Sequence, residues 1–387
     1  MANTLTSLTP TIYESLDIVS RELVGFIPAV TRNSSAERAA KDQTILIPIA
    51  PANTLADNTP AVSAPNTGDQ TVTNVSMTIS KSKHAPIRWN GEEQRGLINA
   101  GTYGALLRNQ FVQAFRSIIN QIEIDLWTTT YQNASRATGT AGTAPFGTAS
   151  DLSDIAGVRR ILDDNGAPQS DLQFVVGGAA MQNLRGKQSV LFKVNEAGTD
   201  QLLRDGVIGR LEGFDVHNSA GVSKVTAGTG TSYVTSGSTA PGVSTIALVT
   251  GSGTVLAGDV VTFAADTTNK YVVNTGVAAA GSIVLGTPGA LVTIATANAM
   301  TIGASYTPNM AFSKSAVILI TRAPQMPIGP DGKAMDMADD VIQVTDPVSG
   351  ITFDVAVYRQ FMQLVYHVRL AWGYQAIKPN HIATLMG

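Results

Sequence analysis

The pattern of hydrophobic and polar positions changes several times along the chain, and each change predicts a different element. The clearest pattern lies between residues 92 and 130, where apolar residues recur every three or four positions, as on one face of an α-helix. This face consists of Leu107, Phe111, Phe115, Ile118, Ile122 and Leu126. At about 1.5 Å per residue the helix reaches roughly 50 Å, so it is predicted to be a long spine. Gly96, Gly101 and Gly104 weaken its first part and are expected either to bend it or to let another backbone approach.

A shorter amphipathic pattern near the N-terminus predicts a helix that docks on another surface. Its apolar stripe consists of Ile12, Leu16, Val19 and Leu23. Thr9 is a suitable N-cap, Pro10 suits the first turn, and the helix is predicted to end near Gly25 and Pro28. The surface is either the protein's own core, or a neighbouring subunit or assembly partner.

Two strand-like segments predict an extended β-hairpin. Residues 44–49 are mostly apolar, and residues 71–80 alternate with period two. About twenty residues rich in Pro, Asn, Thr and Ala separate them, and a loop of that length is usually functional or disordered. Because an isolated hairpin is marginally stable, we expect this one to lie across another surface.

The remaining sequence predicts an α+β chain with an inserted all-β domain. The pattern over residues 150–222 is typical of an α/β unit. Between Val225 and Met310 the only charged residues are Asp259, Asp266 and Lys270, and short Val/Thr/Ile strands alternate with glycine-rich turns. This pattern favours a small barrel or sandwich. The predicted division is 1–40 (arm), 41–90 (hairpin), 91–149 (long helix), 150–222, 223–310 (inserted domain), 311–345 and 346–387.

The amino-acid composition limits the classes of function that this protein can have. Charged residues make up 14% of the 387 residues, against about 25% in typical proteins, so we expect copies of the same chain to cover much of the surface. The net charge of −3 argues against an electrostatic nucleic-acid binder. The absence of cysteine excludes disulfides and thiolate metal sites. Without a signal-peptide pattern or a long apolar run, we expect folding in a cytoplasm.

No group of residues predicts catalysis, a metal or a cofactor. The four histidines are scattered and match no metal-binding spacing. Gly251-Ser252-Gly253 lacks the spacing, the following lysine and the helix of a phosphate loop. Acid pairs such as Asp163 with Asp164 are interpreted as helix and loop acids. We therefore expect a protein that is not an enzyme.

One basic cluster remains open. Lys81, Lys83, His84 and Arg88 follow the second hairpin strand and lead to Trp89 and Glu92. These side chains are either solvated charges, or partners of acids on an adjacent subunit, or, least favoured, a nucleic-acid contact. With Asp57 and Asp69 of the hairpin tip, the candidates for inter-subunit contact are Asp57, Asp69, Lys81, Lys83, Arg88, Trp89 and Glu92.

The order of elements, together with four stretches, resembles the major capsid proteins of tailed phages, the Hong Kong ninety-seven-type fold. The stretches are residues 8–14, residues 207–216, residues 309–316, and residues 368–374 together with 377–379. Within that fold the chain looks most like the coat proteins of short-tailed phages that carry an inserted β-barrel domain. No single stretch is as specific as a metal or nucleotide motif, so the resemblance depends on their order and spacing.

The resemblance implies a major capsid protein, located in the virion capsid and assembled in the bacterial host cytoplasm. The chain would form hexamers and pentamers of an icosahedral shell, meet scaffolding and portal proteins, and enclose double-stranded DNA without sequence-specific binding or a membrane. Some relatives crosslink through a lysine near the hairpin tip. Residues 51–71 contain no lysine, so we predict non-covalent assembly.

Two alternatives stay open. The first is an encapsulin-like nanocompartment shell, which would keep the fold and enclose an enzyme instead of a genome. The second, suggested by the inserted domain, is a phage tail or decoration protein or a β-rich adhesin. The long helix and the α/β unit argue against this second alternative.

Overall fold

The computed structural model describes residues 9–20, 22, 24–49, 55–60, 62–63, 68–99, 101–188, 208–332, 335–346 and 349–387. The α-helices in this part of the chain are α1 (Thr9–Ser20), α2 (Phe26–Ala29), α3 (Gly91–Asn99), α4 (Tyr103–Gln132), α5 (Ser153–Asp164) and α6 (Gly178–Lys187). The mixture of α and β elements agrees with the α+β class expected from the sequence.

The first strands are β1 (Thr31–Ala39), β2 (Thr44–Ile49), β3 (Thr73–Thr78), β4 (Lys81–Asn90), β5 (Arg136–Gly139), β6 (Leu172–Val176), β7 (Arg210–Leu211) and β8 (Phe214–Asn218). Then follow β9 (Val234–Thr235), β10 (Thr245–Val249), β11 (Val260–Phe263), β12 (Asp266–Thr275), β13 (Ser282–Leu285) and β14 (Met300–Ile302). The last are β15 (Pro308–Ser313), β16 (Val317–Pro324), β17 (Asp340–Thr345), β18 (Thr352–Gln360), β19 (Gln363–Ala376) and β20 (Ile382–Met386).

A six-stranded sheet and the long helix α4 form the first core. The strand order is β1-β16-β19-β18-β17, and β4 also pairs with β19. Alternate residues of β18 face the helix: Phe353 packs edge-on against Phe115 of α4, with ring centroids 4.9 Å apart. At 30 residues, α4 spans about 45 Å, and it is the spine of this first core.

A second, twelve-stranded sheet joins the α/β unit to the β-rich segment. It runs β7-β8-β6-β15-β20-β5-β12-β13-β10-β9, with β11 paired to β12 and β14 paired to β11. Strand β5 is the link, because Tyr271 of β12 pairs with Arg136 on one edge and Ala383 of β20 pairs with the same residue on the other. The β-rich segment also has its own core, which contains Tyr233, Ile246 and Phe263.

The structure refines the predicted helices. The pattern over residues 92–130 belongs to two helices, α3 and α4, because Gly101 adopts a left-handed φ of 70° between them. The N-terminal helix ends at Ser20, before the predicted Gly25, and α2 follows as a separate turn. Leu23 of the predicted stripe and the predicted N-cap side chain of Thr9 lie outside the described residues.

Candidate assembly surfaces

The basic cluster predicted from the sequence lies on β4, and its first member binds inside the chain. Lys81 Nζ lies 2.6 Å from Asp125 Oδ1, and the side chain of Asp125 is only 6% exposed. The other carboxylate oxygen accepts a 3.0 Å hydrogen bond from Trp372 Nε1. Lys81 stands opposite Trp372 in the β4–β19 ladder, so both side chains reach the spine helix from one face of the sheet. The ion pair between Lys81 and Asp125 therefore links the six-stranded sheet to α4.

The rest of the cluster lies on both faces of β4, with Lys83 and Trp89 on the face that carries Lys81 and Arg88 on the other, because side chains alternate along a strand. Trp89 is 7% exposed, and its Nε1 donates a 2.8 Å hydrogen bond to Gln110 Oε1 of α4. Lys83 and Arg88 are exposed, as is Glu92 at the start of α3. Three of the five predicted residues in this region therefore face solvent, and their contact with another subunit stays a prediction.

The hairpin formed by β2 and β3 is attached at its base and uncovered beyond it. At the base, Met77 and Ile79 are each 1% exposed and pack with Ala39, Ile320 and Ala371. Beyond the base, Leu46 is 61% exposed and Val72 is 57% exposed. The tip acids Asp57 and Asp69 are also exposed. The hairpin therefore presents apolar and acidic groups that the described part of its own chain does not cover.

The N-terminal arm, α1 with α2, lies against the protein's own spine helix. Ile12, Leu16 and Val19 are at most 1% exposed and belong to the core that also contains α4. Ser15 Oγ donates hydrogen bonds to Thr11 O (2.7 Å) and Arg108 O (3.1 Å). Of the two surfaces left open by the sequence for this helix, the structure shows the protein's own core.

A buried carboxylate fixes the end of the arm. Glu123 Oε1 accepts hydrogen bonds from the backbone N–H of Gly25 (2.6 Å) and Phe26 (2.7 Å) and from Ser219 Oγ (2.7 Å). Glu123 Oε2 accepts a 3.2 Å bond from the N–H of Ile27. Burial raises the pKa of Glu123 above its usual value, and these hydrogen bonds oppose the rise. Glu123 thus satisfies the free N–H groups at the start of α2.

Sequence reasoning did not single out Glu123, although a signal for it was present. Glu123 and Asp125 stand among apolar residues of α4 such as Ile122, and two acids in such a stretch need buried partners. Ser219, one of the partners of Glu123, lies so close to Gly25 that a Cβ added to this glycine would come within 2.8 Å of Ser219 Cβ. The position therefore requires glycine, and the arm passes close to the α/β unit there.

The face of the six-stranded sheet opposite α4 carries an ionic network. Asp354, fully buried, binds Arg38 at 3.0 Å and Arg369 at 2.6 Å. Arg369 also lies 2.9 Å from Asp336, which accepts a 2.9 Å hydrogen bond from Tyr358 Oη. Burial opposes ionisation of Asp336, but the hydrogen bonds from Arg369 and Tyr358 outweigh it and hold its pKa below the usual value. These contacts bind strands to one another and leave no free nucleophile or base within this described network.

Two histidines stack beside this network. The rings of His84 and His367 lie 4.6 Å apart and nearly parallel. Burial, together with the nearby His84 and Arg369, lowers the pKa of His367. The turn between β18 and β19 then projects Phe361 and Met362, which are 90% and 67% exposed. This turn is a second uncovered apolar feature.

Among the described residues, no three His, Cys, Asp or Glu side chains are grouped so that they could hold a metal ion. In the same part of the chain, no helix is long and apolar enough to cross a membrane. The surfaces above expose apolar side chains, such as Leu46 and Phe361, and charges, such as Asp69 and Arg88.

No protein-family model matches the chain, and no curated protein matches it. Solved structures resemble it at low identity. A chain described as Mycobacterium phage Che8 is 14% identical, with 90% of this chain and 85% of that chain covered and a TM-score of 0.42. The capsid of the cyanophage P-SCSP1u is 11% identical (92% and 86% covered, TM-score 0.45). A virus-like particle from Pyrococcus furiosus is 8% identical (97% and 98% covered, TM-score 0.42).

Proposed function

We propose that this chain is the major capsid protein of a tailed bacteriophage and builds the icosahedral shell that encloses the genome. The observation that carries the proposal is the hairpin of β2 and β3, which leaves the body with Leu46 61% exposed and Val72 57% exposed. A two-stranded hairpin is marginally stable in water unless another surface covers it. A neighbouring copy of the chain supplies that surface in a closed shell.

In this proposal each region has a place in the shell. The hairpin is the extended loop that overlaps a neighbour, and α4 is the spine of the peripheral domain. Residues 150–222 and 311–345 form the axial domain, which meets its copies at five-fold and six-fold positions. Residues 223–310 are an inserted domain that stabilises the subunit or contacts its neighbours.

The role is structural. Repeated contacts between different surfaces of identical subunits close into hexamers and pentamers. Scaffolding and portal proteins are the proposed partners during assembly in the host cytoplasm. With a net charge of −3, the shell encloses double-stranded DNA without gripping a particular sequence. Because residues 51–71 contain no lysine, the hairpin holds its neighbour without a covalent crosslink through its tip.

Opposite charges define the proposed contact between subunits. The exposed acids Asp57 and Asp69 lie in the hairpin tip, and the exposed bases Lys83 and Arg88 lie on β4. Lys83 and Arg88 lie on opposite faces of β4, and Glu92 follows in the first turn of α3. Each ion pair between a tip acid and a β4 base contributes little to affinity by itself. Together these pairs set the orientation of the neighbouring subunit. The hairpin of one subunit is therefore proposed to cross the β4 surface of the next.

The first experiment is expression of the chain alone and with its neighbouring genes, followed by sizing and electron microscopy. Closed, symmetric particles tens of nanometres across, on the order of a phage head, are the expected product. A chain that stays monomeric at high concentration in both expressions would overturn the proposal. Particles that load an enzyme encoded beside the chain, instead of DNA, would assign the same shell to a nanocompartment.

Charge reversal tests the contact itself. Arg88→Glu is expected to lower particle yield, and Asp69→Arg in the same chain is expected to restore it. The matched control is Arg95→Glu, which reverses an exposed charge on α3 and should assemble as the unmodified chain does. If no charge reversal at Asp57 or Asp69 rescues a reversal at Arg88 or Lys83, the hairpin tip does not contact the β4 surface of a neighbouring subunit.

A further inference from the structure

We propose that a cationic cavity between α5, β5 and β12 binds a phosphate group. The cavity has a volume of about 200 Å³. Its polar lining consists of Arg136, Thr138, Arg160, Thr268, Asn269 and Lys270. The inference does not depend on the proposed function, because it concerns the way two parts of one subunit are joined.

The central group is the guanidinium of Arg136, which is buried and incompletely paired. Its side chain is 3% exposed, and among the described residues Nε has no hydrogen-bond partner. Its Nη2 lies 3.3 Å from Asp164 Oδ2, 3.4 Å from Asn165 Oδ1 and 3.5 Å from Ile161 O. Its Nη1 lies 3.4 Å from Asn269 Oδ1. Charge-assisted hydrogen bonds are usually about 2.7–2.9 Å long. A buried cation held by such long contacts keeps the capacity to bind an anion.

Two further cations line the same cavity. Arg160 Nε lies 3.8 Å from Asp164 Oδ2, and the Arg160 side chain is 66% exposed, so it is free to turn inward. Lys270 Nζ donates a 2.6 Å hydrogen bond to Gly139 O and has two more hydrogens to donate. Among the described residues, Asp164 is the carboxylate that pairs with the two arginines at this cavity.

A second carboxylate, that of Asp266, stands behind Asn269 and has its own partners. Asp266 Oδ2 accepts a 2.6 Å hydrogen bond from Tyr271 Oη and a 3.0 Å bond from Asn269 Nδ2. Its Oδ1 accepts a 3.1 Å bond from the N–H of Asn269. These neutral donors leave Asp266 ionised, so three cations face two carboxylates, Asp164 and Asp266, and the surplus is one positive charge.

The donors of the cavity favour a phosphate group. The cavity has room for a tetrahedral oxyanion, and planar guanidinium groups match the oxygens of such an anion in pairs. The hydroxyls of Thr138 and Thr268 add neutral donors. Gly157 of α5 keeps the wall open, because a Cβ there would lie 3.2 Å from Thr138 Oγ1.

Binding would fasten the β-rich segment to the α/β unit. Arg136 belongs to β5, Arg160 to α5 and Lys270 to β12, so one anion would touch all three elements. A ligand that binds the folded state stabilises it in proportion to the logarithm of its concentration. The phosphate group could come from the free ion or from nucleic acid.

The test is a titration of the full chain with inorganic phosphate, followed by calorimetry and by thermal unfolding at constant ionic strength. We expect one phosphate per chain and a rise in Tm that sodium chloride at the same ionic strength does not give. Arg160→Gln and Lys270→Gln should each weaken binding about tenfold, because each removes a charged donor. Arg95→Gln, which removes an exposed charge on α3, should leave binding unchanged.

An equal rise in Tm with chloride, or unchanged binding in both the Arg160 and Lys270 variants, would overturn the site. Both changes are at partly exposed side chains, so folding is not at risk as it would be on loss of Arg136. A short DNA duplex then separates the sources. If the duplex binds and the same two variants weaken that binding, the phosphate group is assigned to nucleic acid. If only inorganic phosphate binds, it is assigned to the free ion.

Discussion

The N-terminal arm and the β2–β3 hairpin are both short elements with an apolar stripe, yet they differ in what covers the stripe. In the arm, Leu16 is 1% exposed and lies in the core beside α4. In the hairpin, Leu46 is 61% exposed. The apolar stripe of the arm packs against the body of its own chain. Beyond its base, the apolar stripe of the hairpin is not covered by the described part of the chain. The difference separates an element that stabilises the subunit from one that is available to join subunits.

The polar contacts of the two elements show the same difference. The arm ends in three hydrogen bonds to Glu123, donated by the backbone N–H groups of Gly25, Phe26 and Ile27. Hairpin acids such as Asp69 are exposed. Buried hydrogen bonds to a charged group are strong, and exposed ion pairs are weak and weakened further by salt. Arm contacts should therefore govern stability, and hairpin contacts should govern association.

The largest expected effect is the loss of the carboxylate that holds the arm. Glu123→Ala removes the acceptor for three backbone N–H groups and the Ser219 hydroxyl. Each buried donor left without a partner costs about 1–3 kcal/mol, so we expect a loss of about 3 kcal/mol or more in the free energy of unfolding. Urea unfolding measures the loss, and limited proteolysis should cut the arm first.

The matched control for this change is Glu92→Ala, which removes an exposed acid at the start of α3 and should shift stability by less than about 0.5 kcal/mol. If Glu123→Ala were no more destabilising than Glu92→Ala, the arm would not be held by Glu123. The contrast between a fixed arm and an uncovered hairpin would then rest on apolar packing alone.

A pair of identical truncations compares the apolar stripes directly. Leu16→Ala in the arm should cost about 2–5 kcal/mol, because it leaves a cavity in the core. Leu46→Ala in the hairpin should change the stability of the unassembled subunit by less than about 0.5 kcal/mol, because the side chain is already in water. Both are measured by urea unfolding. Equal costs would mean that the hairpin is covered within its own subunit.

The next effect concerns association. Leu46→Asp should lower particle yield about tenfold, which corresponds to about 1.4 kcal/mol of contact energy, and should leave the fold intact by circular dichroism. The control from the arm is Ile18→Asp, at a side chain 38% exposed on the outer face of α1. The Ile18 variant is expected to form particles in the yield of the unmodified chain. If Ile18→Asp lowered the particle yield and Leu46→Asp did not, the arm and not the hairpin would form the contact between subunits.

Much of the fold follows from the sequence, because periodicity reports which face of an element is apolar. The spine pattern from Leu107 to Leu126 and the strand at residues 44–49 were both predicted and are both present. Periodicity does not say which surface receives that face, and for this reason the partner of α1 stayed open until the structure placed it on α4.

The candidate surface was harder to predict than the fold. Lys81 and Lys83 look alike in the sequence, but Lys81 binds Asp125 while Lys83 stays exposed. Only the three-dimensional arrangement brings an acid of α4 beside β4. The apolar neighbours of Glu123 indicate that it needs a buried partner, but the partners of Glu123 and Arg136 lie far away in sequence and could not be predicted from the residues beside them.

The smallest expected effect is the pH dependence of the arm. Burial raises the folded-state pKa of Glu123 above its unfolded value of about 4.3. A group with a raised pKa gives its full stabilisation below the unfolded value and loses it as pH rises through the folded value. The stability of the unmodified chain relative to Glu123→Gln should therefore fall as pH rises from about 4 toward neutrality, as measured by urea unfolding with Glu92→Gln as the control. A relative stability that instead rises with pH would mean that the four donors favour the carboxylate by more than burial opposes it, and would make the arm a device that opens in acid.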